Sequence, residues 1–312
     1  MLYANEYRYK VPAIKRCRLI ASGSAAKSPP TIFGGLGVAG ALPMVDLDSE
    51  DVIDLSDLGE AIFGNPDSET TGVLVDAHDE QSQQNPEELG TYYEGDILIP
   101  LSYREARSNG TRNGILAQSF RWPGAVVPYE IKGPFTTQEL GNINHAFKEY
   151  HTRTCVRFKP RSTEKDYISI GSGKSGCWSS IGRLGGRQEV NLQSPNCLRT
   201  YGTPIHELMH ALGFFHEQNR HERDSYVKVM SDNIKPDMMA NFEKASSRTQ
   251  SGFGVDYDYG SVMHYSSTSF TRNGQPTLKA LRPSSAASQM GQRKGFSAGD
   301  VRKINAMYKC KV

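Results

Sequence analysis

Apolar and polar residues alternate in several short stretches in the second half of the chain. This period-two pattern predicts strands at residues 126–131, 156–158, 167–170 and 189–192. Apolar residues recur every three or four positions over residues 137–152, which predicts a helix capped by Thr136 or Thr137. A last helix is expected over about residues 298–308. These elements indicate a folded domain that contains both strands and helices.

One further helix is expected between these elements. Thr203 is a candidate cap, and Pro204 suits the first helical position, because the N–H that proline lacks would have no partner there. Gly213 can end this helix, because glycine readily adopts the conformation that closes many helices.

The chain changes character near residue 113. Residues 42–90 are acidic and rich in Ser, Asn and Gln, which is typical of a loosely ordered extension with one short helix near residues 52–63. Residues 42–112 carry 3 basic and 17 acidic residues, a net charge of −14, and residues 113–312 carry 27 basic and 16 acidic residues, a net charge of +11. Two such regions either attract each other or form two independently solvated surfaces.

The bulk composition, with 37% hydrophobic and 22% charged residues, is that of a soluble globular protein. Residues 1–41 form a poorly defined N-terminal segment in which an apolar, glycine-rich stretch follows several basic residues. The triplet Ala39-Gly40-Ala41 matches a signal-peptidase site, so we interpret this stretch as a weak and unusually late secretion signal. No run of about 20 apolar residues occurs elsewhere, so no membrane span is expected.

Cysteine usage points to an oxidising compartment. Four of the five cysteines lie beyond residue 150, and this even number is compatible with two disulfides in any of three pairings. The fifth cysteine stands in the N-terminal segment and has no evident partner. The five are Cys17, Cys155, Cys177, Cys197 and Cys310.

The densest chemistry lies in residues 206–217, which read H-E-L-M-H-A-L-G-F-F-H-E. His206 and His210 stand four apart on a predicted helix, so both imidazoles project from one face and can reach one ion. Gly213 allows the chain to leave the helix and bring His216 round as a third ligand. Three nitrogen ligands leave one zinc position open, which is typical of a catalytic site rather than a structural one.

Glu207 follows the first histidine and is suited to act as general base. Zinc lowers the pKa of a bound water to roughly 7, and Glu207 could take the proton of that water. The alternative is a set of unrelated histidines on an amphipathic helix. The glycine and the third histidine at fixed offsets favour a catalytic site with one Zn²⁺ per subunit.

These motifs resemble a known family. The run H-E-x-x-H-x-x-G-x-x-H marks the metzincins, and Glu217 directly after it resembles the astacin family in particular. Residues 257–265, Y-D-Y-G-S-V-M-H-Y, are similar to the astacin Met-turn. The resemblance covers about residues 95–310 and implies an α+β fold, with a mixed five-stranded sheet and two long helices above a zinc cleft. It divides the catalytic domain into an upper subdomain, residues 113–212, and a less regular lower one, residues 213–312.

The resemblance also implies roles for individual residues. Met263 would form an apolar floor beneath the zinc, and Tyr265 would ligate zinc at rest and then stabilise the oxyanion. Residues 189–192 would be the edge strand that binds an extended substrate. Two disulfides are implied, which are Cys155–Cys310 and Cys177–Cys197.

The family is made with an inhibitory pro-segment, here expected at residues 42–112. Asp96 in the Gly95-Asp96 pair would occupy the open zinc position. A trypsin-like protease would cut between Arg112 and Asn113, and the new amino terminus would pair with Glu217. Asn109 opens a glycosylation sequon.

We therefore expect a secreted, monomeric zinc endopeptidase in a minimal form of pro-segment plus catalytic domain, which acts on proteins or peptides and binds no nucleic acid. An adhesive protein with a non-catalytic cleft is a second hypothesis, disfavoured because the ligand and base set is intact. Glu217 and the S-V-M-H-Y turn disfavour a matrixin. Arg293 is a candidate for a cation that selects acidic substrate side chains, although a solvated surface arginine is the alternative interpretation.

Overall fold

A mixed five-stranded sheet is the largest regular element of the computed structural model. The structure describes residues 52–53, 60–79, 81–82, 84–102, 115–116, 120–245, 252–282 and 284–311. Its strands are β1 (Val52–Ile53), β2 (Phe63–Gly64), β3 (Ile99–Pro100), β4 (Ile115–Leu116), β5 (Val126–Ile131), β6 (Arg157–Pro160), β7 (Tyr167–Gly171), β8 (Cys177–Ser179), β9 (Arg187–Leu192), β10 (Val227–Val229) and β11 (Leu278–Ala280).

The described helices are of two kinds. The α-helices are α1 (Thr71–Asp76), α2 (Thr137–Arg153), α3 (Gly202–Ala211) and α4 (Ala298–Met307). Short 3-10 helices span Glu60–Ile62, Pro86–Leu89, Pro123–Ala125, Asn196–Leu198, Glu217–Asn219, Arg223–Ser225, Ser231–Asn233, Pro236–Phe242 and Ala287–Gln289. Within the described ranges, none of the helices has the length and apolar character that a membrane crossing requires.

The sheet has the strand order β6-β5-β7-β9-β8, and only β8 runs antiparallel to its neighbour. The predicted mixed five-stranded sheet is thus confirmed. The expectation that residues 189–192 form the edge strand is wrong, because β9 pairs with β7 on one side and with β8 on the other. The edge of the sheet beyond β9 is formed by β8. This strand has three residues and is too short to show an alternating pattern in the sequence.

Helices α2 and α3 cover the sheet and share the main hydrophobic core. Helix α2 begins as predicted, with the Thr136 side chain accepting from the Glu139 backbone N–H while the Glu139 carboxylate accepts from the Thr136 N–H. The buried Tyr150 hydroxyl donates to the Ile205 carbonyl at 2.8 Å and joins the two helices. Every residue of α3 is buried, so this helix can display functional groups only toward the interior.

Helix α3 differs at its start from the sequence prediction. Thr203 does not cap it, because the helix already begins at Gly202 and the Thr203 hydroxyl donates to Glu87 at 3.3 Å. Gly213 does end it, with the positive φ of 109° that only glycine adopts without strain.

The part of the chain beyond Gly213 is less regular, as expected from the resemblance. Beyond Gly213 the described regular elements are the β10–β11 pair, several 3-10 turns and α4. The two implied disulfides are present. Cys155–Cys310 ties the chain after α4 to the end of α2, and Cys177–Cys197 ties β8 to the turn before α3.

Residues 42–112, called the acidic extension from here on, are more structured than their composition indicates. The expected short helix near residues 52–63 is wrong for the described part, where β1 pairs with β4 and a 3-10 turn precedes β2. An α-helix lies instead at Thr71–Asp76. Val75 and Ile97 are fully buried, and both pack in clusters that include residues beyond position 119. Composition missed this order because these apolar residues are few and complete their clusters with residues beyond position 119.

Candidate active site

Three buried histidines converge at the end of α3. His206 and His210 project from consecutive turns of α3, and the turn at Gly213 brings His216 against them. The Nε2 atom of His206 lies 3.1 Å from that of His210 and 3.3 Å from that of His216. All three side chains are inaccessible to solvent. The structure thus brings together the histidine set that the spacing predicts.

The outer nitrogens of these rings are all held. Nδ1 of His206 donates to the Val262 carbonyl and Nδ1 of His210 to the Phe214 carbonyl, both at 2.7 Å. Nδ1 of His216 donates to the Glu94 carboxylate at 2.8 Å. Because a carbonyl oxygen can only accept, at least the first two rings carry their proton on Nδ1 and turn an Nε2 lone pair inward.

Inward-facing lone pairs at this separation repel unless a cation lies among them. Burial lowers the pKa of His206 to about 4, which favours the neutral ring that metals bind. Burial also opposes the charged form of His216, but the carboxylates of Asp96 and Glu94 outweigh it and raise the pKa of that ring to about 9. Outer hydrogen bonds of this kind also orient metal-ligating histidines in proteins. The donor set therefore fits Zn²⁺, which nitrogen ligands of this kind bind in tetrahedral geometry.

Asp96 completes a group of four ligand atoms that lie within 4.8 Å of one another. Its carboxylate is buried, with Oδ2 at 2.9 Å from His206 Nε2 and Oδ1 at 3.3 Å from His210 Nε2. Burial alone would raise the pKa of Asp96, but the surrounding imidazoles hold it well below its usual range. Asp96 thus meets the ligand set as an ionised carboxylate, in the fourth position of the group.

Glu207 lies fully buried next to this group. Among the described residues, neither carboxylate oxygen has a hydrogen-bond partner. Burial, with the charges of Asp96 and Glu87 adding to it, raises the pKa of Glu207 well above its usual value. A buried carboxylate without partners is costly for stability, and such groups are more common at functional sites than in cores. Its raised proton affinity suits a general base.

Tyr265 and Met263 lie in the second motif, the run over residues 257–265 that is similar to the Met-turn. The Tyr265 ring lies 4.6 Å from that of His216, and its hydroxyl donates to the Glu94 carbonyl at 2.6 Å. Met263 is buried in the main core beside Val262, whose carbonyl holds His206. The tyrosine thus reaches the site, but its hydroxyl is engaged by the acidic extension.

The acidic extension approaches the site in an unusual backbone conformation. Glu94 has a positive φ of 48°, a region that disfavours side chains with a Cβ, and Gly95 follows with φ 89°. Beyond this turn the chain runs parallel to β8, where Ser179 N–H donates to the Asp96 carbonyl and Leu98 N–H to the Ser179 carbonyl. Two positive φ angles in succession reverse the chain and direct Asp96 at the histidines.

Glu217 is buried below the third histidine and is already fully paired. Its Oε1 accepts from Arg220 at 2.9 Å and from the Asp258 N–H at 2.8 Å, and its Oε2 accepts from Lys303 at 2.5 Å. Burial raises the pKa of Glu217, but Lys303 and Arg220 outweigh it and lower the pKa overall. Lys303 was not predicted as part of the site, although a lysine on the apolar face of α4, three residues after Asp300, is a signal that could have been used.

Arg293 is buried rather than solvated. Its guanidinium pairs with the Glu87 carboxylate of the acidic extension, and the neighbouring Glu88 accepts from the backbone N–H and hydroxyl of Ser266 at 2.6 and 2.7 Å. Glu87, Glu88 and Glu94 were not predicted as site residues. Their signal is an acidic cluster directly ahead of Gly95-Asp96.

Three predicted positions lie outside the described residues. These are the sequon at Asn109, the cleavage position Arg112 and the new terminus Asn113. The candidate secretion signal and Cys17 lie outside them too.

Comparison with known proteins agrees with the geometry. The family model described as Astacin, a peptidase family, matches residues 115–309. Zinc metalloproteinase nas-4 of Caenorhabditis elegans is 39% identical over 260 residues, 78% of this chain and 81% of that protein. Zinc metalloproteinase nas-8 of Steinernema carpocapsae is 42% identical over 221 residues, 70% of this chain, and the match spans 52% of that protein. The solved structure of high choriolytic enzyme 1, a hatching enzyme zinc-protease from Oryzias latipes, matches with a TM-score of 0.56 at 36% identity over 61% of this chain and 94% of that chain.

Removal of any one of the three histidines is expected to release the metal. We expect the purified protein to contain about one zinc ion per chain and the alanine variants of His206, His210 and His216 to contain much less, since three ligands share one ion. Elemental analysis after gel filtration measures the content, and a chelator should lower the melting temperature of the wild-type protein. The control is His221→Ala, whose side chain is about half exposed. Unchanged zinc content in all three variants would contradict the assignment.

Proposed function

The chain belongs to the astacin family of zinc metalloproteinases, and from this premise we propose that it is a secreted endopeptidase made as a latent precursor. The observation that carries the proposal is the position of Glu207. Its carboxylate has no hydrogen-bond partner among the described residues and lies beside three converging imidazoles and the carboxylate of Asp96. The two disulfides support an oxidising compartment. A monomer is the state we propose.

In the proposed hydrolysis of a peptide bond, zinc and the side chain of Glu207 have different roles. Bound zinc supplies a Lewis acid and makes a water nucleophilic near neutral pH. Glu207 accepts one proton from the attacking water, whose oxygen forms the new bond to the carbonyl carbon. Glu207 then returns that proton to the amide nitrogen as the carbon–nitrogen bond breaks. The carboxylate oxygens of Glu207, which have no hydrogen-bond partner among the described residues, support both steps.

Tyr265 is the proposed stabiliser of the oxyanion. Its hydroxyl donates to the carbonyl of Glu94, a residue of the proposed pro-segment. Once the pro-segment leaves, this donor is free for the charge that develops on the substrate oxygen. Met263, buried beside His206 and its carbonyl partner, provides the proposed apolar support of the site.

Latency follows from the carboxylate of Asp96. Because it lies among the three Nε2 atoms, it occupies the space that a nucleophilic water needs. We place the pro-segment at residues 42–112 and the catalytic domain at residues 113–312. A trypsin-like protease cutting after Arg112 is the proposed activator, and Asn109 is the proposed glycosylation site.

The new amino terminus at Asn113 is the proposed further partner of Glu217. Because Glu217 already accepts from Lys303 and Arg220, the terminus would join these cations rather than fill a vacant position. We therefore propose that activation adds the new amino terminus to a charge cluster of Glu217, Lys303 and Arg220 that is already formed before the cut.

Arg293 is the proposed selector of acidic substrate side chains. Glu87 supplies its counter-charge inside the precursor, with both side chains at least 95% buried. Loss of the pro-segment would remove this counter-charge and leave the guanidinium available to a new carboxylate. An acidic side chain of the substrate would restore the pair.

Glutamine at position 207 separates metal binding from proton transfer. We expect the activated Glu207→Gln variant to keep its zinc and to lose about 10²–10⁴-fold in kcat, because an amide cannot take the proton. A fluorogenic-peptide assay measures the rate, and elemental analysis measures the metal. Glu243→Gln, at an exposed position, is the matched control. Near-normal turnover of Glu207→Gln would contradict the proposed mechanism.

Alanine at position 96 tests latency. We expect the uncut Asp96→Ala precursor to hydrolyse a short fluorogenic peptide, while the uncut wild-type precursor stays inactive, because the variant leaves room for the nucleophilic water. The matched control is Asp79→Ala at an exposed position of the proposed pro-segment. A fully inactive uncut Asp96→Ala precursor that gains activity on cutting would contradict a sole role for Asp96 in latency.

Glutamine at position 293 tests substrate selection. After activation, we expect Arg293→Gln to lower the ratio of cleavage at acidic over neutral sites about tenfold or more, because the amide cannot replace the ion pair. Mass spectrometry of a cleaved peptide library measures the ratio, with Arg302→Gln at an exposed position as control. An unchanged ratio would discard the role of Arg293.

A further inference from the structure

We infer that the catalytic domain has a second binding site for its pro-segment, separate from the zinc site, which holds helix α1 after the chain is cut. The inference rests on the proposed latency. We call this site the α1 dock and define it by residues 173–176 and 193–196, which contact the buried side of α1. Its consequence is that cutting after Arg112 does not by itself free the active site.

The α1 dock recognises the carboxyl end of a helix. The last carbonyl groups of any α-helix lack partners within the helix. Asn196 Nδ2 donates to the Val75 and Asp76 carbonyls at 2.6 and 3.3 Å. Gln193 Nε2 donates to the Gly72 carbonyl at 2.9 Å and to the Asp76 carboxylate at 2.7 Å. The dock therefore supplies side-chain donors to α1 along most of its length.

These donors are held in place by the catalytic domain itself. Gln193 accepts from the Gly176 N–H at 2.6 Å, and Asn196 accepts from Arg199 Nε at 2.6 Å. Both carboxamides are at least 95% buried. Because each carboxamide oxygen is fixed, each NH₂ group is directed at α1 and needs no reorientation to bind it.

The backbone fit of α1 in the dock is close. A Cβ at Gly72 would lie 2.1 Å from the Lys174 carbonyl oxygen, and a Cβ at Gly176 would lie 2.6 Å from Thr71 Cγ2. Val75 is fully buried in the main core. The adjacent Val73 is 58% exposed, so only one side of α1 enters the dock.

The α1 dock and the zinc site hold the same segment at two points. Asp96 follows α1 by 20 residues, and exposed positions such as Ala77 and Asp79 lie between them. The described disulfides join only residues beyond position 150, so the cut pro-segment is held by non-covalent contacts. Two linked contacts raise the effective concentration of each, so loss of one does not release the other. Full release requires loss of the α1 contact or a second cut between the two points.

The experiment uses the full-length precursor, cut with a trace of trypsin and checked by mass spectrometry for a cut after Arg112. Gel filtration then shows whether the pro-segment co-elutes with the catalytic domain, and the rise of peptidase activity on dilution measures release. For the wild type, we expect co-elution and slow activation. For Gly72→Ala, we expect separation and activation at least about tenfold faster.

The matched control is Val73→Ala, one position along on the exposed side of α1, which should behave like the wild type. Alanine stabilises an isolated helix relative to glycine, so Gly72→Ala would bind equally or more tightly if the dock had no role. Equal release rates for Gly72→Ala and Val73→Ala would overturn the inference, as would immediate separation of the wild-type pro-segment. If Gly72→Ala does not fold, Gln193→Ala removes the donors from the other partner and should also release faster.

Co-elution is independent of catalysis. Failure of the proposed function would appear as absence of peptidase activity in every sample, with the elution differences retained. Failure of the α1 dock would appear as equal elution with activity present.

Discussion

The convergence of three imidazoles at one point is the constraint on which the rest of the structure depends. Each ring must turn an unprotonated nitrogen inward, so each needs an outer acceptor in a fixed position. His206 finds its acceptor in Val262, whose own N–H donates to Asp300 at the start of α4. The Asp300 carboxylate also accepts from Ser261 and caps α4. The irregular lower part of the domain is thus ordered by the needs of histidines on a helix of the upper part.

The proposed pro-segment supplies carboxylates to groups that catalysis would use. Asp96 meets the inner nitrogens, Glu94 the outer nitrogen of His216, and Glu87 the buried Arg293. The charge asymmetry along the sequence therefore reflects in part specific pairs between these carboxylates and the histidines and arginine of the site. It is also in part a solvated surface, because Asp67 and Asp79 show no ion pair within the described ranges, and each instead accepts backbone N–H groups.

Much of the fold and the ligand set could be predicted, because local rules determine them. The period of α2, its capping residues and the H-E-x-x-H spacing involve neighbours within one or two turns. The edge strand β8, the ion pair of Lys303 with Glu217 and the position of α1 could not be predicted in the same way. Each depends on residues that are far apart in sequence, and a three-residue strand or a six-residue helix has too few positions to show a period.

The conformation of Glu94 means that the proposed pro-segment stores strain while it is bound. A residue with a Cβ at positive φ costs roughly 1–2 kcal/mol relative to its relaxed form. Contacts on either side of this turn hold it in place, so the strain persists only while the segment stays attached. Once the segment leaves, relaxation of Glu94 opposes rebinding. An inhibitor that has to be discarded is better built with such strain than for the highest affinity, because removal is then easier to make one-way.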